Sequence, residues 1–196
     1  MQHEAISLIK AEHRSLAAVI DAMTHVVRKA EETGRDPKFR LLHAMLYYLR
    51  EFPERRHHQS EDASLFALLM QRSDAADELI RELEAEHDEG EAMLNMLTVA
   101  LSAWEAGRPD GVTRFAAALK RFSEFYWRHM DKEENQVLPI AQKELTEQDW
   151  RSIRDSFATH ADPLLGKRPG DEFDALFSDI VLMTPAPIGL GEPGKS

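Results

Sequence analysis

The chain has no cysteine. That one absence excludes disulfides, thiolate nucleophiles, Cys-type zinc sites and Cys-ligated iron–sulfur clusters together. Any metal it holds must be taken by nitrogen and oxygen. Long apolar runs are missing too, and none approaches the ~20 residues that a membrane span needs. The opening Met1-Gln2-His3-Glu4 has neither a basic stretch nor an apolar one, so no secretory signal is expected and the cytoplasm is the default location. Basic residues are in deficit, 24 Lys plus Arg against 35 Asp plus Glu, for a formal charge of -11. A sequence-independent grip on nucleic acid phosphates or on an anionic membrane is therefore not expected. No repeat of solenoid length is evident.

What is present points to a helical protein. At 196 residues the chain is long enough for one domain with a sizeable core, and its 43% hydrophobic and 30% charged residues suit such a domain. Nine histidines and 35 acids supply nitrogen and oxygen ligands. From Glu4 to about Glu32, apolar residues recur at Leu8, Ile9, Leu16, Val19, Ile20, Met23, Val26 and Val27, a helical period. Gly34 and Asp36-Pro37 end that helix and start the next, with Asp36 as N-cap. The second helix meets Pro53, where a kink or fresh start is expected. Ser73-Asp74 is the expected cap of a third helix running to about Ala106. Asp110 or Thr113 opens a fourth, with Phe115, Leu119, Phe122, Tyr126, Val137 and Ile140 on its face. Thr146 caps a short fifth helix ending near His160, and 171–183 has room for another turn or two. Residues 184–196, rich in Pro and Gly, are expected to be mobile.

Chemistry concentrates at His57-His58-Gln59-Ser60-Glu61-Asp62 and its echo His129-Met130-Asp131-Lys132-Glu133-Glu134. Each places a histidine four residues before a glutamate, so imidazole and carboxylate lie one turn apart on one face. Such a pair clamps a borderline divalent metal such as Fe, Mn or Zn. In the fourth helix the spacing aims both His129 and Glu133 at the core, where an ionised glutamate is expensive unless paired or coordinated. In the second helix two rows compete: His57, Glu61, Leu65 and Leu68, or His58, Asp62, Leu65 and Leu69, with a slight preference for the first. His13 and His87 fall within the apolar stripes of the first and third helices. Gly90, one turn after His87, costs ~1 kcal/mol against Ala in mid-helix; it is either a tolerated glycine or one that leaves space for a metal or its ligand. His3 and His25 look like surface positions, and His43 like a solvated or helix-packing one. Histidine–glutamate pairs solvated on an outer face are the bland alternative.

The reading is all-α: an antiparallel up-down four-helix bundle over 1–145, a C-terminal helical extension over 146–183 and a tail over 184–196. The spacings His13 to His57, to His87 and to His129 each match about one helix, a turn and a return.

The ordered motifs Glu12-His13-Arg14, His57-His58-x-x-Glu61-Asp62-x-x-Leu65-Phe66, Glu86-His87 and His129-x-x-Lys132-Glu133-Glu134-x-x-x-Leu138-Pro139 resemble the haemerythrin-like, or HHE cation-binding, family over about residues 5–143. Asp162-Pro163-Leu164 is also like C-terminal segments of bacterial members. The resemblance implies a non-haem di-iron centre, oxo- or hydroxo-bridged, that binds O2 end-on at one iron, with Zn or Mn as alternative metals. By that pattern His13 and His57 ligate one iron, His87 and His129 the other, and Glu61 and Glu133 bridge them. It also favours His57 over His58. Oxygen carriers of the family have two histidines one turn apart on the third helix, whereas His87 is followed at that spacing by Glu91 and preceded by Leu83. Glu91 or Glu84 then substitutes, or one iron keeps an open position, or the metal is not iron. An extra carboxylate favours ferric iron and harder metals. Sensing, redox or metal-handling roles are thus preferred to reversible O2 carriage, and a non-enzymatic protein to an enzyme. The expected partner is a small diatomic or anionic ligand such as O2, NO or azide, and a homo-oligomer is allowed. A peroxide- or NO-reactive or repair protein, with Tyr126 as the nearest proton donor, is the alternative, followed by an interaction module with a vestigial site.

Overall fold

The computed structural model describes residues 2–159, all of whose regular elements are helical. Helix α1 is Gln2–Thr33. Helix α2 is one rod over 39–72, in which α-helical Phe39–Leu49, His58–Ser60 and Ala67–Arg72 alternate with π-helical Arg50–His57 and Glu61–Phe66. Helix α3 is Asp77–Glu105. Helix α4 covers 111–144 and carries a π-helical segment at Glu133–Val137. Helix α5 is Glu147–Ala158. No helix among the described residues is long and apolar enough to cross a membrane.

The rod ends follow local chemistry, with two departures from the sequence reading. Gly34 ends α1 at φ 62, a backbone state open to residues without a Cβ, and its N–H donates to the Ala30 carbonyl at 2.9 Å. Asp36 does not cap α2. Lys38 holds the cap position without a side-chain bond, and Asp36 accepts instead from the Trp104 indole at 3.0 Å. Ser73 and Asp74 stand in a turn, and α3 opens only at Asp77. Thr146 caps α5 as expected, in a reciprocal pair with Asp149. The Arg72 guanidinium grips Asp149 through two bonds of 3.0 Å and holds its carboxyl down to about 2.

Pro53 explains the first widening of α2. It cannot donate a hydrogen bond, and its ring crowds the carbonyl one turn back. The rod continues by relaxing to the wider π spacing over Arg50–His57.

Two apolar clusters form the core, one toward each end of the bundle. One gathers Leu16, Val19, Met45, Leu49, Phe52, Leu94, Leu97, Phe122, Tyr126 and Met130 with their neighbours. The other gathers Ala5, Ile9, Leu65, Phe66, Ile80, Leu83, Val137 and Leu138 with Trp150, Ile153 and Phe157 of α5. On every long rod the break between them falls at the histidines and glutamates. On α1 it lies between Ile9 and Leu16, on α2 between Phe52 and Leu65, on α3 between Leu83 and Leu94, and on α4 between Met130 and Val137. Each buried Leu, Ile or Phe contributes about 1.5–3 kcal/mol by leaving water, and the two clusters clamp a polar layer between them. Helix α5 is part of this clamp, since the Phe157 ring meets His57 edge-on at 5.5 Å. Helix α5 ends at Ala158, close to the expected His160, while the turns expected over 171–183 and the tail lie outside the described residues.

Candidate metal centre

The polar layer holds all six residues singled out by the sequence, together with His58. His13 comes from α1, His57, His58 and Glu61 from α2, His87 from α3, and His129 and Glu133 from α4, and all seven are buried. They form two groups, His13, His57, Glu61 and Glu133 beside His58, Glu61, His87 and His129. Within each group one ligand atom per residue lies within 4.8 Å of the others. The groups share Glu61. Its Oε1 is 3.2 Å from His57 Nε2, and its Oε2 is 3.7 Å from His87 Nε2. Glu133 straddles them as well, with Oε2 3.1 Å from His13 Nε2 and Oε1 3.1 Å from His129 Nε2.

Behind four of the histidines stands a carboxylate. His13 Nδ1 donates to Glu134 at 2.9 Å, His57 Nδ1 to Glu12 at 2.8 Å, His87 Nδ1 to Asp62 at 3.0 Å and His129 Nδ1 to Glu86 at 2.9 Å. An ionised carboxylate can only accept, so in each pair Nδ1 carries the proton and a neutral ring turns a lone pair inward at Nε2. This fixes tautomer and orientation as the outer partners of metal-bound histidines do. The consequence is sharpest between His13 and His57, whose Nε2 atoms are 3.0 Å apart. With both rings neutral, two lone pairs would face one another there, beside the carboxylates of Glu61 and Glu133. Both oxygens of each glutamate, His87 Nε2 and His129 Nε2 are buried without a hydrogen-bond partner. A layer of converging acceptors is stable only when cations or protons lie among them.

The electrostatics agree. Burial alone would lower the histidine pKa values, but the carboxylates outweigh it. His13 is raised by Glu133 and Glu134, and His57 is raised well above its ordinary value by Glu61 and Glu12. His87 rises to about 9 through Asp62, Glu133 and Glu61, and His129 to about 10 through Glu133 and Glu86. Burial would push Glu133 up, yet His129, His13 and His87 hold it well below the carboxylate range. The centre draws positive charge. Without a metal, protons on imidazole supply it.

The sequence reading favours His57 over His58, and both rings are buried in the layer. On a regular helix adjacent residues diverge too far to share a centre, but the π-helical segments before and after 58–60 turn both rings inward. His58 stacks on His87 with ring centroids 4.0 Å apart. It lacks a carboxylate at hydrogen-bond distance, Glu54 being 3.5 Å from its Nδ1. Burial and the neighbouring His87, His57 and His129 hold it well below its ordinary pKa. His58 stands with Glu61, His87 and His129 in the second group. Glu84 and Glu91 are exposed and stand in neither group. The signal in the sequence is the His57-His58 doublet four residues after a proline.

Gly90 keeps its place for a related reason. A Cβ there would run into the Tyr126 hydroxyl and come within 3.2 Å of Glu54, to which Tyr126 donates a hydrogen bond. The space expected for a metal ligand is filled by that pair. Gly90→Ala should therefore lower the melting temperature although alanine gains ~1 kcal/mol in helix propensity, because crowding a packed ring costs about 1–3 kcal/mol. A melt at or above the wild-type temperature would show that Tyr126 has room to move.

Helical rods closing on a buried histidine–carboxylate layer that draws positive charge define a helical cation-binding protein. Family comparison agrees: the model of the hemerythrin HHE cation binding domain matches residues 4–141, and the chain belongs to that family. Helix α5 lies beyond the matched residues. A comparison with curated proteins gives no match.

Proposed function

We propose that residues 1–145 form an up-down four-helix bundle holding a carboxylate-bridged pair of non-haem metal ions, iron in the native state, and that the pair binds or senses O2 or answers oxidative or nitrosative stress. The observation that carries this reading is the 3.0 Å approach of His13 Nε2 to His57 Nε2, with both Nδ1 atoms committed to carboxylates. His13 and His57 would hold one ion, His58, His87 and His129 the other, and Glu61 and Glu133 would lie between them. Imidazole and carboxylate without thiolate suit Fe, Mn and Zn. Bound iron would supply an open position for a small ligand and a site for electron exchange.

The chain's own residues do the rest. Glu12, Asp62, Glu86 and Glu134 keep the imidazoles turned inward, and the apolar clusters on either side exclude water. A small cavity of about 10 Å³, walled by Leu16, Tyr48, Phe52 and Pro53, reaches His13 and His57. That is about the space of one water-sized molecule, which favours a diatomic ligand over a larger substrate. The Tyr126–Glu54 bond beside His58 favours a second reading, a peroxide- or NO-reactive protein with a proton at hand.

Metal analysis of protein purified without added iron tests the proposal. About two iron atoms per chain, with near-ultraviolet absorption that shifts on adding azide, are expected for a carboxylate-bridged pair. Stoichiometric zinc would change the metal, peroxide or NO consumption over many turnovers would favour the second reading, and failure to retain any metal would end both.

A further inference from the structure

Beside the polar layer, between α2 and α3, lies a polar pocket of about 270 Å³. Glu54, Asp62, Asp88 and Glu91 line it, and His58 and His87 stand at its inner end. Two arginines also reach it, but their heads are held elsewhere. Arg50 donates to Asn95 at 3.0 Å, and Arg55 to Glu51 at 2.9 Å. Four acids outside a buried centre would prove little alone. The second observation is His58, only 4% exposed, which lines the pocket and has no hydrogen-bond partner for its Nδ1. Of the five histidines in the two groups, it alone has no carboxylate fixing its outer nitrogen.

We propose that this pocket is the uptake site through which divalent cations reach the centre, held first by the carboxylates and then passed inward by way of His58. The inference rests on the metal-centre reading above. A hydrated cation sheds water in steps only where oxygen ligands replace it, because stripping it bare into an apolar wall is prohibitive. The other approaches lack such a ladder. The cavity beside His13 and His57 is about 10 Å³ and walled largely by apolar side chains. The groove between α1 and α4, about 290 Å³, offers one further acid, Asp131, beside Arg14 and Trp127, because its Glu134 is tied to Lys10 and His13. Four acids against two arginines, one of them paired with Glu51, leave the α2–α3 pocket acidic on balance, which draws cations to its mouth.

The test is the rate at which the metal-free full-length chain takes up cobalt(II), followed by its visible d–d absorption in a stopped-flow mixer, with cobalt per chain measured at the end. Asp88→Asn combined with Glu91→Gln removes two exposed acids that belong to neither ligand group. The double variant should load about tenfold more slowly at low ionic strength, reach the same final stoichiometry, and depend less steeply on salt. Asp131→Asn, in the α1–α4 groove, should load like wild type. Loading of the double variant at wild-type speed, or slowing by Asp131→Asn alone, would overturn the proposal. A wild-type chain that takes up no cobalt would instead overturn the metal-centre reading and this proposal with it.

Discussion

Glu61→Ala is expected to empty both metal positions, reducing bound iron from about two atoms per chain to well below one while far-UV circular dichroism keeps its helical shape. Glu61 is the residue common to both ligand groups and is wholly buried, and neither of its oxygens has a hydrogen-bond partner. Loss of an outer-shell partner lowers metal affinity about 10–100-fold, and loss of a bridging ligand should exceed that. The helices should survive, because the apolar clusters on either side of the layer are untouched. His58→Ala makes the informative contrast. It should weaken only the position shared with His87 and His129, leaving about one tightly held ion per chain. Two retained irons in Glu61→Ala would remove this carboxylate from the centre. Unchanged content in His58→Ala would restore the sequence-based register, in which His57 acts without its neighbour.

The contrast between Glu61 and His58 also marks how much of the site is legible in the sequence. His129 and Glu133 can be read there because an unbroken 3–4 spacing from Phe115 onward leaves one face for them. His13 and His87 are legible only as histidines in apolar stripes, and gain weight once the other rods supply partners. The second helix resists because periodicity assumes one helical pitch. The run from Arg50 to Phe66 changes pitch twice, so residues 57 and 58 both face the polar layer, which a straight α-helix would grant to one of them. The four outer carboxylates are likewise hidden. Glu12 and Glu134 belong to rods far apart in sequence, and nothing local shows that their partners are His57 and His13. Helix α5 reads as an appendage because its cap is local and clear, while its burial depends on Ala5, Ile9 and Leu65 from other rods.

The largest pH effect should be opposite in the metal-free and metal-loaded protein. In the metal-free chain His87 titrates near 9 and His129 near 10, against an ordinary histidine value of 6.5. A folded-state pKa raised in this way adds stability that is fully present below the ordinary value and disappears as pH climbs through the folded one. Metal-free protein should therefore lose stability between about pH 7 and 10, by on the order of 3 kcal/mol for His87 alone. Metal takes only neutral imidazole, so protons compete with it across the same window. The stabilisation conferred by cobalt(II) should grow as pH rises from 7 to 9, while that of the unloaded chain falls. Uptake at pH 7 should release protons, one each from His87 and His129, which lie at about 9 and about 10 and are imidazolium at that pH. Calorimetry in buffers of different ionisation enthalpy counts those protons. Uptake without proton release at pH 7 would mean that the inward-facing nitrogens are bare in the metal-free state, and protons on imidazole could then not be what lets the layer tolerate its own acceptors.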